Sequence, residues 1–247
     1  MSGLLVAARY LTIVPLPGAA HAPIESLGRS AAWFPIVGLA LGLVLVAVDR
    51  LTGWLFSPLL AALLTVTAWK LLTGGVHLDG LADCLDGLTG RDAEQRLAIM
   101  RDSRIGAFGT IGLILFLMLE IVALAELLPP TRGSALFAAP VIARATPAVL
   151  AALFRPARAD GQGAAFHAGV RPSAVALGLV AALAAAVFAL GGFGVAAVAA
   201  GLLAAVAVAA VIAPRLDGIT GDVLGAAVEV SEVAVLLAVS VWPYARV

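Results

Sequence analysis

The chain has 247 residues, of which 62% are hydrophobic and only 12% are charged, and its mean hydropathy is +1.09. Soluble domains average roughly 45 to 50% apolar and about 25% charged residues, so this composition excludes a soluble protein and predicts one that faces lipid. A net charge of zero gives no indication of nucleic-acid binding, and the single cysteine, Cys84, excludes an intrachain disulfide.

Hydrophobic stretches recur along the chain. The first, residues 4–16, is too short to cross a bilayer, lacks the cleavage site of a signal peptide and is interpreted as an interfacial helix. A span needs about 20 apolar residues. Seven stretches approach this length: 30–48, 54–72, 106–128, 134–154, 173–190, 192–213 and 223–244. The uncharged run 173–213 is divided at Gly191 and Gly192, because one helix of that length would reach about twice the hydrocarbon thickness.

These stretches predict an all-α, polytopic integral membrane bundle of about seven transmembrane helices plus amphipathic interfacial helices, forming one domain over residues 1–247. With the N-terminus inside, eleven basic residues fall on one side, three fall on the other, and Arg144 lies within a span. This bias predicts that the first side is cytoplasmic. The same side carries the long loops 73–105, 155–172 and 214–222, so any active site is expected to face the cytoplasm.

The first of these loops carries three aspartates, Asp79, Asp83 and Asp86, at helical spacing i, i+4 and i+7. On a helix they share one face, where like charges repel unless a counter-charge is present. Oxygen ligands favour Mg²⁺ or Mn²⁺ over zinc, so a divalent cation is one interpretation and a solvated acidic face is the other. Nearby His77 is a candidate metal ligand or proton carrier with a structural alternative, and Cys84 is expected to pack.

Downstream, Arg101, Asp102, Ser103 and Arg104 precede the glycines of 106–109 at the start of the third stretch. Guanidinium groups and the free N–H groups of a helix N-terminus both suit a diphosphate. The alternative is that these arginines only provide the positive charge that flanks a span on its cytoplasmic side.

A second acidic segment begins at the last long loop. Thr220 and Asp222 lie in a glycine-rich turn, and Glu229 and Glu232 continue the same helical stripe into the membrane. Ionisable residues inside a span are costly unless they face a polar cavity, which makes them functional candidates. In the third and fourth spans, Glu120 and Arg144 are interpreted as a buried structural pair.

Three segments together resemble the hallmark blocks of the cobalamin synthase (adenosylcobinamide-GDP ribazoletransferase) family. They read TGGVHLDGLADCLDG at 73–87, MRDSRIGAFG at 100–109 and TGDVLGA at 220–226. Arg9, Thr12 and Pro15, and the run 34–38, also match the family's opening pattern. The similarity spans nearly the whole chain, and the first block is the most specific.

The resemblance implies the last assembly step of the cobalamin nucleotide loop, in which adenosylcobinamide-GDP and α-ribazole, or its 5′-phosphate, give the cobalamin and GMP. It also implies Mg²⁺ and a place in the cytoplasmic (inner) membrane. The expected roles are metal binding by Asp79, Asp83, Asp86 and Asp222, and catalysis by Asp83, Asp222 and His77, with the proton acceptor left open. Substrate binding is expected of the following residues: Arg9, Arg101, Asp102, Ser103, Arg104, Thr220, Glu229 and Glu232.

Two other classes of function remain open. A CDP-alcohol phosphotransferase needs the run D-x-x-D-G-x-x-A-R, and residues 83–91 match only its first half, while an aromatic prenyltransferase has two aspartate-rich loops. A transporter would show paired inverted repeats with helices interrupted at mid-membrane, whereas the charge here lies at one surface. The preferred acceptor, a homo-oligomer and association with other enzymes of the pathway are also left open.

Overall fold

The computed structural model describes residues 3–16, 25–159 and 161–241. Over these ranges the chain forms twelve α-helices, named here in chain order. They are α1 (Gly3–Leu11), α2 (Glu25–Ser30), α3 (Phe34–Leu55), α4 (Pro58–Leu72), α5 (Val76–Gly87), α6 (Ala93–Ile99), α7 (Ala107–Ala125), α8 (Pro129–Leu153), α9 (Gln162–Gly169), α10 (Pro172–Leu190), α11 (Gly194–Leu216) and α12 (Gly221–Val241). The expected all-α architecture is confirmed.

The number of spans is close to the expected seven. Within the described ranges, five helical stretches are long and apolar enough to cross a membrane, or six if the bent pair α4 and α5 counts as one span. One of the five, Pro172–Leu216, has 45 residues and contains both α10 and α11. Since α10 and α11 are separate helices, the stretch expected at 54–72 is the one that is too short to be a span by itself, because its helix, α4, has only 15 residues. The chain is a multi-pass membrane protein.

Prolines explain where two helix boundaries depart from the prediction. Trp54 belongs to the end of α3, and α4 begins only at Pro58. Likewise α8 begins at Pro129, five residues before the predicted start at 134. Proline suits the first turn of a helix, because the N–H groups there have no acceptor within the helix and the N–H that proline lacks is therefore not needed. The predicted end of the last span, residues 242–244, lies outside the described residues.

The uncharged run is broken at the predicted place. Gly191 ends α10 with a φ of 61°, and a 3-10 turn, Gly191–Phe193, leads into α11. A Cβ on Gly194 would lie 2.4 Å from the backbone of Ala186, so the two helices touch beside the turn. Alanine and glycine at such contacts allow the close helix packing that membrane bundles use.

A sharp bend places α5 across the end of the bundle. Gly74 and Gly75, with φ values of 63° and 67°, allow the chain to turn by 91° between α4 and α5. After this turn α5 packs against α12 and α7. Because α5 runs at a right angle to α4, it crosses α12 near the residue at which α12 begins.

The three long loops meet at this same end. The backbone N–H of Ala157 donates to the carbonyl of Ile219 at 2.9 Å, and the N–H of Ile219 donates to the carbonyl of Arg155 at 2.9 Å. The Arg96 guanidinium donates to the carbonyl of Arg215 at 3.2 Å. The prediction that these loops share one side of the bundle is therefore confirmed.

Inside the bundle, two cations and three carboxylates form a buried network. Lys70 Nζ lies 2.9 Å from Glu120, 2.7 Å from Glu229 and 3.1 Å from Glu232, and Arg144 pairs with Glu232. The predicted pairing of Glu120 with Arg144 is therefore wrong. Glu120 pairs with Lys70, which that prediction did not include, and Arg144 pairs with Glu232. Glu229 and Glu232, which were expected to bind substrate, join α12 to α4 and α8 through these ion pairs.

Candidate active site

A cavity of about 320 Å³ opens where α1, α3, α5, α9 and α12 converge. Its polar lining includes two residues of α5, His77 and Asp79, and the turn residues Thr220 and Asp222 at the start of α12. Arg158, from the loop before α9, also lines it. The cavity therefore contains groups from two of the acidic segments that are far apart in sequence.

Two glycines bring these segments together. A Cβ on Gly80 would lie 2.7 Å from the Asp222 carbonyl oxygen, and a Cβ on Gly225 would lie 3.3 Å from the Cα of His77. Helices α5 and α12 can approach this closely only where side chains are missing. Since Asp79 and Asp83 lie on either side of Gly80 in the helix, the crossing places both near Asp222. The expected convergence of the two acidic segments is observed.

The carboxylates at this crossing lie near one another, and Arg158 is a cation whose charge acts on Asp222 without a salt bridge. Asp79, Asp83 and Asp222 form no salt bridge with any residue in the described ranges. Burial, together with the charges of Asp79, Asp222 and Asp86, raises the pKa of Asp83 to about 7. Such a raised pKa is typical of functional sites, where like charges are held close together.

The metal-ligand set is not assembled as expected. Over the part of the chain that the structure describes, no group of three His, Cys, Asp or Glu side chains is arranged to hold a metal ion. Mg²⁺ needs fewer protein ligands than that, because it usually binds through one or two carboxylates plus substrate phosphate and water. The carboxylates of Asp79, Asp83 and Asp222, none of which is in a salt bridge among the described residues, fit that requirement.

The Asp86 carboxylate binds backbone N–H groups, unlike the three other aspartates that were expected to bind the metal with it. Its carboxylate accepts the backbone N–H groups of Gly106 and Gly109, each at 2.7 Å, and so caps the N-terminus of α7. This helix end was the one expected to receive a diphosphate, and a carboxylate of the chain occupies it. The sequence did not indicate this contact, since nothing in the local pattern of α5 predicts which helix end lies beside it.

Replacing Asp86 with Ala should destabilise the fold by about 1 to 3 kcal/mol, because buried N–H groups at the start of α7 would lose their acceptor. Thermal unfolding of the purified protein in detergent measures this change. Asp92→Ala is the matched control: Asp92 caps α6 through the Gln95 N–H at 2.9 Å, but this cap is exposed. Equal losses from the two variants would contradict the role given to Asp86.

The predicted phosphate-binding arginines do not line the cavity. Arg104 is exposed and forms an ion pair with Asp102 at 2.6 Å, which holds the pKa of Asp102 down to about 2. Both line a separate shallow groove beside Asp86, and Arg101 and Ser103 are exposed nearby. Arg9 donates to the carbonyl of Leu16 at 2.7 Å and is not among the cavity-lining residues.

His77 lies in the cavity wall and is buried, and its Nδ1 has no hydrogen-bond partner among the described residues. Burial, and then the charges of Arg144 and Lys70, keep the pKa of His77 well below its usual range. The imidazole is therefore neutral at physiological pH and has a nitrogen available to a ligand. The sequence indicates His77 as a candidate, but its surroundings follow only from the fold.

Among the cavity-lining residues that the sequence does not indicate are three aromatic residues and one arginine: Tyr10, Phe34, Phe166 and Arg158. Phe34 starts a run already noted for its family-like pattern, and Arg158 lies in a loop already placed on the active side. Nothing in the sequence indicated that these groups, from four separate segments, share one wall.

Comparisons with known proteins identify the family of the chain. Residues 3–240 match the family described as cobalamin-5-phosphate synthase. The chain is 39% identical over 240 residues to an adenosylcobinamide-GDP ribazoletransferase of Brevibacillus brevis, covering 96% of this chain and 97% of the relative. A protein with the same name from Geotalea daltonii is 37% identical, and the match covers 94% of each of the two chains. Another from Shigella flexneri is 40% identical, and the match covers 93% of this chain and 95% of the relative.

No solved structure matches the chain. The family match covers almost the whole chain, and each of these relatives is a transferase by name. The chain is therefore a transferase of cobalamin nucleotide-loop assembly and belongs to the cobalamin-5-phosphate synthase family.

Proposed function

We propose that this chain transfers the adenosylcobinamide phosphate group of adenosylcobinamide-GDP to α-ribazole or its 5′-phosphate, releases GMP and requires Mg²⁺. The observation that carries this proposal is the crossing of α5 and α12. It brings the carboxylates Asp79 and Asp222 into one cavity with Arg158, and Asp83 lies close enough to both carboxylates for their charges to raise its pKa. The relatives' name specifies both substrates.

The chemistry requires a ribose hydroxyl oxygen to attack the phosphorus attached to the cobinamide. The phosphoanhydride bond to GMP breaks, and the hydroxyl proton passes to a base of the enzyme. Phosphoryl transfer depends chiefly on positioning and on neutralising phosphate charge. Mg²⁺ bound to these carboxylates would supply that neutralisation on the diphosphate.

Individual residues then take separate roles. Asp79, Asp83 and Asp222 hold the cation, and the Arg158 guanidinium binds a phosphate oxygen. The neutral His77 imidazole or an aspartate of the site accepts the proton. Asp86 is left out of the metal site because it caps α7. Glu229 and Glu232 are left out of the substrate site because Lys70 and Arg144 bind them.

The direct test is GMP release by the purified full-length protein in detergent, supplied with adenosylcobinamide-GDP, α-ribazole and Mg²⁺. We expect turnover that stops on addition of EDTA and returns with excess Mg²⁺. Turnover that persists in EDTA would remove the metal from the proposal. An absence of GMP under all conditions, alongside release of CMP or pyrophosphate from substrates of the alternative transferases, would replace the reaction itself.

We further propose that the chain sits in the cytoplasmic membrane with this cavity facing the cytoplasm, as the distribution of basic residues predicts. The only native cysteine, Cys84, is buried, so single cysteines introduced at the surface can be labelled selectively. Ser103→Cys should react with an impermeant maleimide in inside-out vesicles and not in spheroplasts. Ser57→Cys, exposed near the opposite end, should show the reverse pattern. The opposite result for both would invert the orientation.

A further inference from the structure

Three aromatic rings form a continuous row along one wall of the cavity. The Tyr10 and Phe34 centroids are 6.2 Å apart with ring planes at 19°, and the Phe34 and Phe166 centroids are 5.7 Å apart at 29°. The rings come from α1, α3 and α9, and all three residues line the cavity. Phe34 and Phe166 are buried, whereas Tyr10 is only partly buried and offers a ring to a ligand.

The cavity has two chemically distinct parts. Around the aromatic row its lining is apolar and includes Leu11 and Leu27. The carboxylates and Thr220 belong to α5 and to the start of α12. These parts are close to one another, because Tyr10 and Asp222 both line the same cavity of about 320 Å³. A ligand that fits both must join a planar apolar group to a hydroxylated or phosphorylated one.

Size selects between the two substrates of the proposed reaction. The volume of about 320 Å³ enclosed by the described residues lies at the small end of the range of ligand pockets, roughly 300 to 1,000 Å³. A nucleoside is of this size, whereas a corrin ring carrying a nucleotide is far larger. The small acceptor therefore fits inside, and the donor can present only its diphosphate.

Polarity selects which base the row accepts. A guanine carries hydrogen-bond donors and acceptors on its edge, and burying them without partners is costly. The aromatic part of the cavity is lined largely by carbon, which suits a base with few polar groups. Aromatic side chains commonly hold nucleic-acid bases by stacking, which needs no hydrogen bonds to the base edge.

We propose that the row of Tyr10, Phe34 and Phe166 is the binding site for the planar base of the ribazole acceptor, and that it directs the acceptor's ribose toward Asp222. This inference rests on the proposed function, since it assigns one of that reaction's substrates to the cavity. The row thereby determines which nucleoside is used, and the carboxylates carry out the transfer.

Steady-state kinetics of the full-length protein in detergent test this assignment. Tyr10→Leu keeps an apolar side chain and removes the ring, so the KM for α-ribazole should rise about 5- to 100-fold, the range expected for losing one stacking contact. The KM for adenosylcobinamide-GDP should change less than about twofold, because the donor lies outside the row. Tyr10→Phe should recover most of the affinity for α-ribazole, since it restores the ring.

Phe188→Leu is the matched control. It removes a ring that is 84% exposed on α10, away from the cavity, and should leave both KM values unchanged. If Tyr10→Leu does not fold, as judged by size-exclusion chromatography, Phe166→Leu replaces it with the same expectation. A rise in the donor KM instead, or no change in either KM, would overturn the assignment.

Failure of the assignment can be told apart from failure of the proposed function. If the wild-type protein releases no GMP, the reaction is at fault, and α-ribazole binding is then measured by calorimetry without donor. Binding of α-ribazole that Tyr10→Leu weakens would still support the aromatic site. An absence of binding to the wild-type protein would refute it.

Discussion

Asp222→Asn is expected to lower kcat by about 100- to 1,000-fold, the loss typical of removing one group that stabilises developing charge. The variant keeps the size of the side chain and removes a negative charge at the crossing of α5 and α12. Thr220 Oγ1 can still contact the side chain, as it does in the native protein at 3.1 Å. Folding should therefore be preserved while the proposed cation loses a ligand. GMP release measures the effect.

Asp217→Asn is the matched control for this variant. Asp217 lies in the same turn, is exposed, and adopts a left-handed conformation with a φ of 60°, which asparagine accepts readily. It does not line the cavity, so turnover should stay within about twofold of the wild type. Asp83→Asn and Asp79→Asn should resemble Asp222→Asn. Substantial turnover by Asp222→Asn at saturating Mg²⁺ would remove this residue from the active site.

Lys70→Met is expected to destabilise the protein by about 3 to 5 kcal/mol, the cost of breaking a buried ion pair from one side. Lys70 is buried and contacts three glutamates, so its loss leaves their charges facing only Arg144. Methionine fills a similar volume, which limits any cavity. The measurement is the free energy of unfolding of the variant and of the wild type. Each protein is unfolded in mixed micelles by titration with a denaturing detergent.

Arg104→Met provides the comparison at the surface. The Arg104 side chain is 87% exposed in its pair with Asp102, and exposed pairs contribute little to stability. The variant should unfold close to the wild type. Adding Glu229→Gln to Lys70→Met should recover part of the lost stability, because it removes one of the stranded charges. Equal stability of Lys70→Met and the wild type would show that the network does not hold the bundle together.

Local patterns predicted much of this architecture. The hydrophobic stretches indicated a multi-pass helical bundle, and the excess of basic residues placed the three long loops on one side, where Arg155 and Ile219 now meet. The spacing of Asp79, Asp83 and Asp86 indicated a helix, and Val76–Gly87 is one. Each of these properties depends on residues within a few turns of one another, so the sequence carries it directly.

The short helix α4 shows what such patterns leave undecided. Residues 54–72 are apolar enough to suggest a span, but Pro58 starts a new helix and Gly74 and Gly75 turn the chain away. The same turn puts α5 in contact with α12 and α7. Hydropathy measures how apolar a segment is and not the direction in which it runs.

By itself, the sequence determined the helical class, the membrane setting, the family and the acidic segments that form the site. Only the tertiary structure decided the partner of each charged group: Asp86 with the start of α7, Lys70 with three glutamates, and Asp222 beside Gly80. It also assembled Tyr10, Phe34 and Phe166 into one wall. The physical reason is that secondary structure follows from short-range periodicity and solvent preference. The choice among several chemically equivalent partners is made by helix packing across long sequence separations.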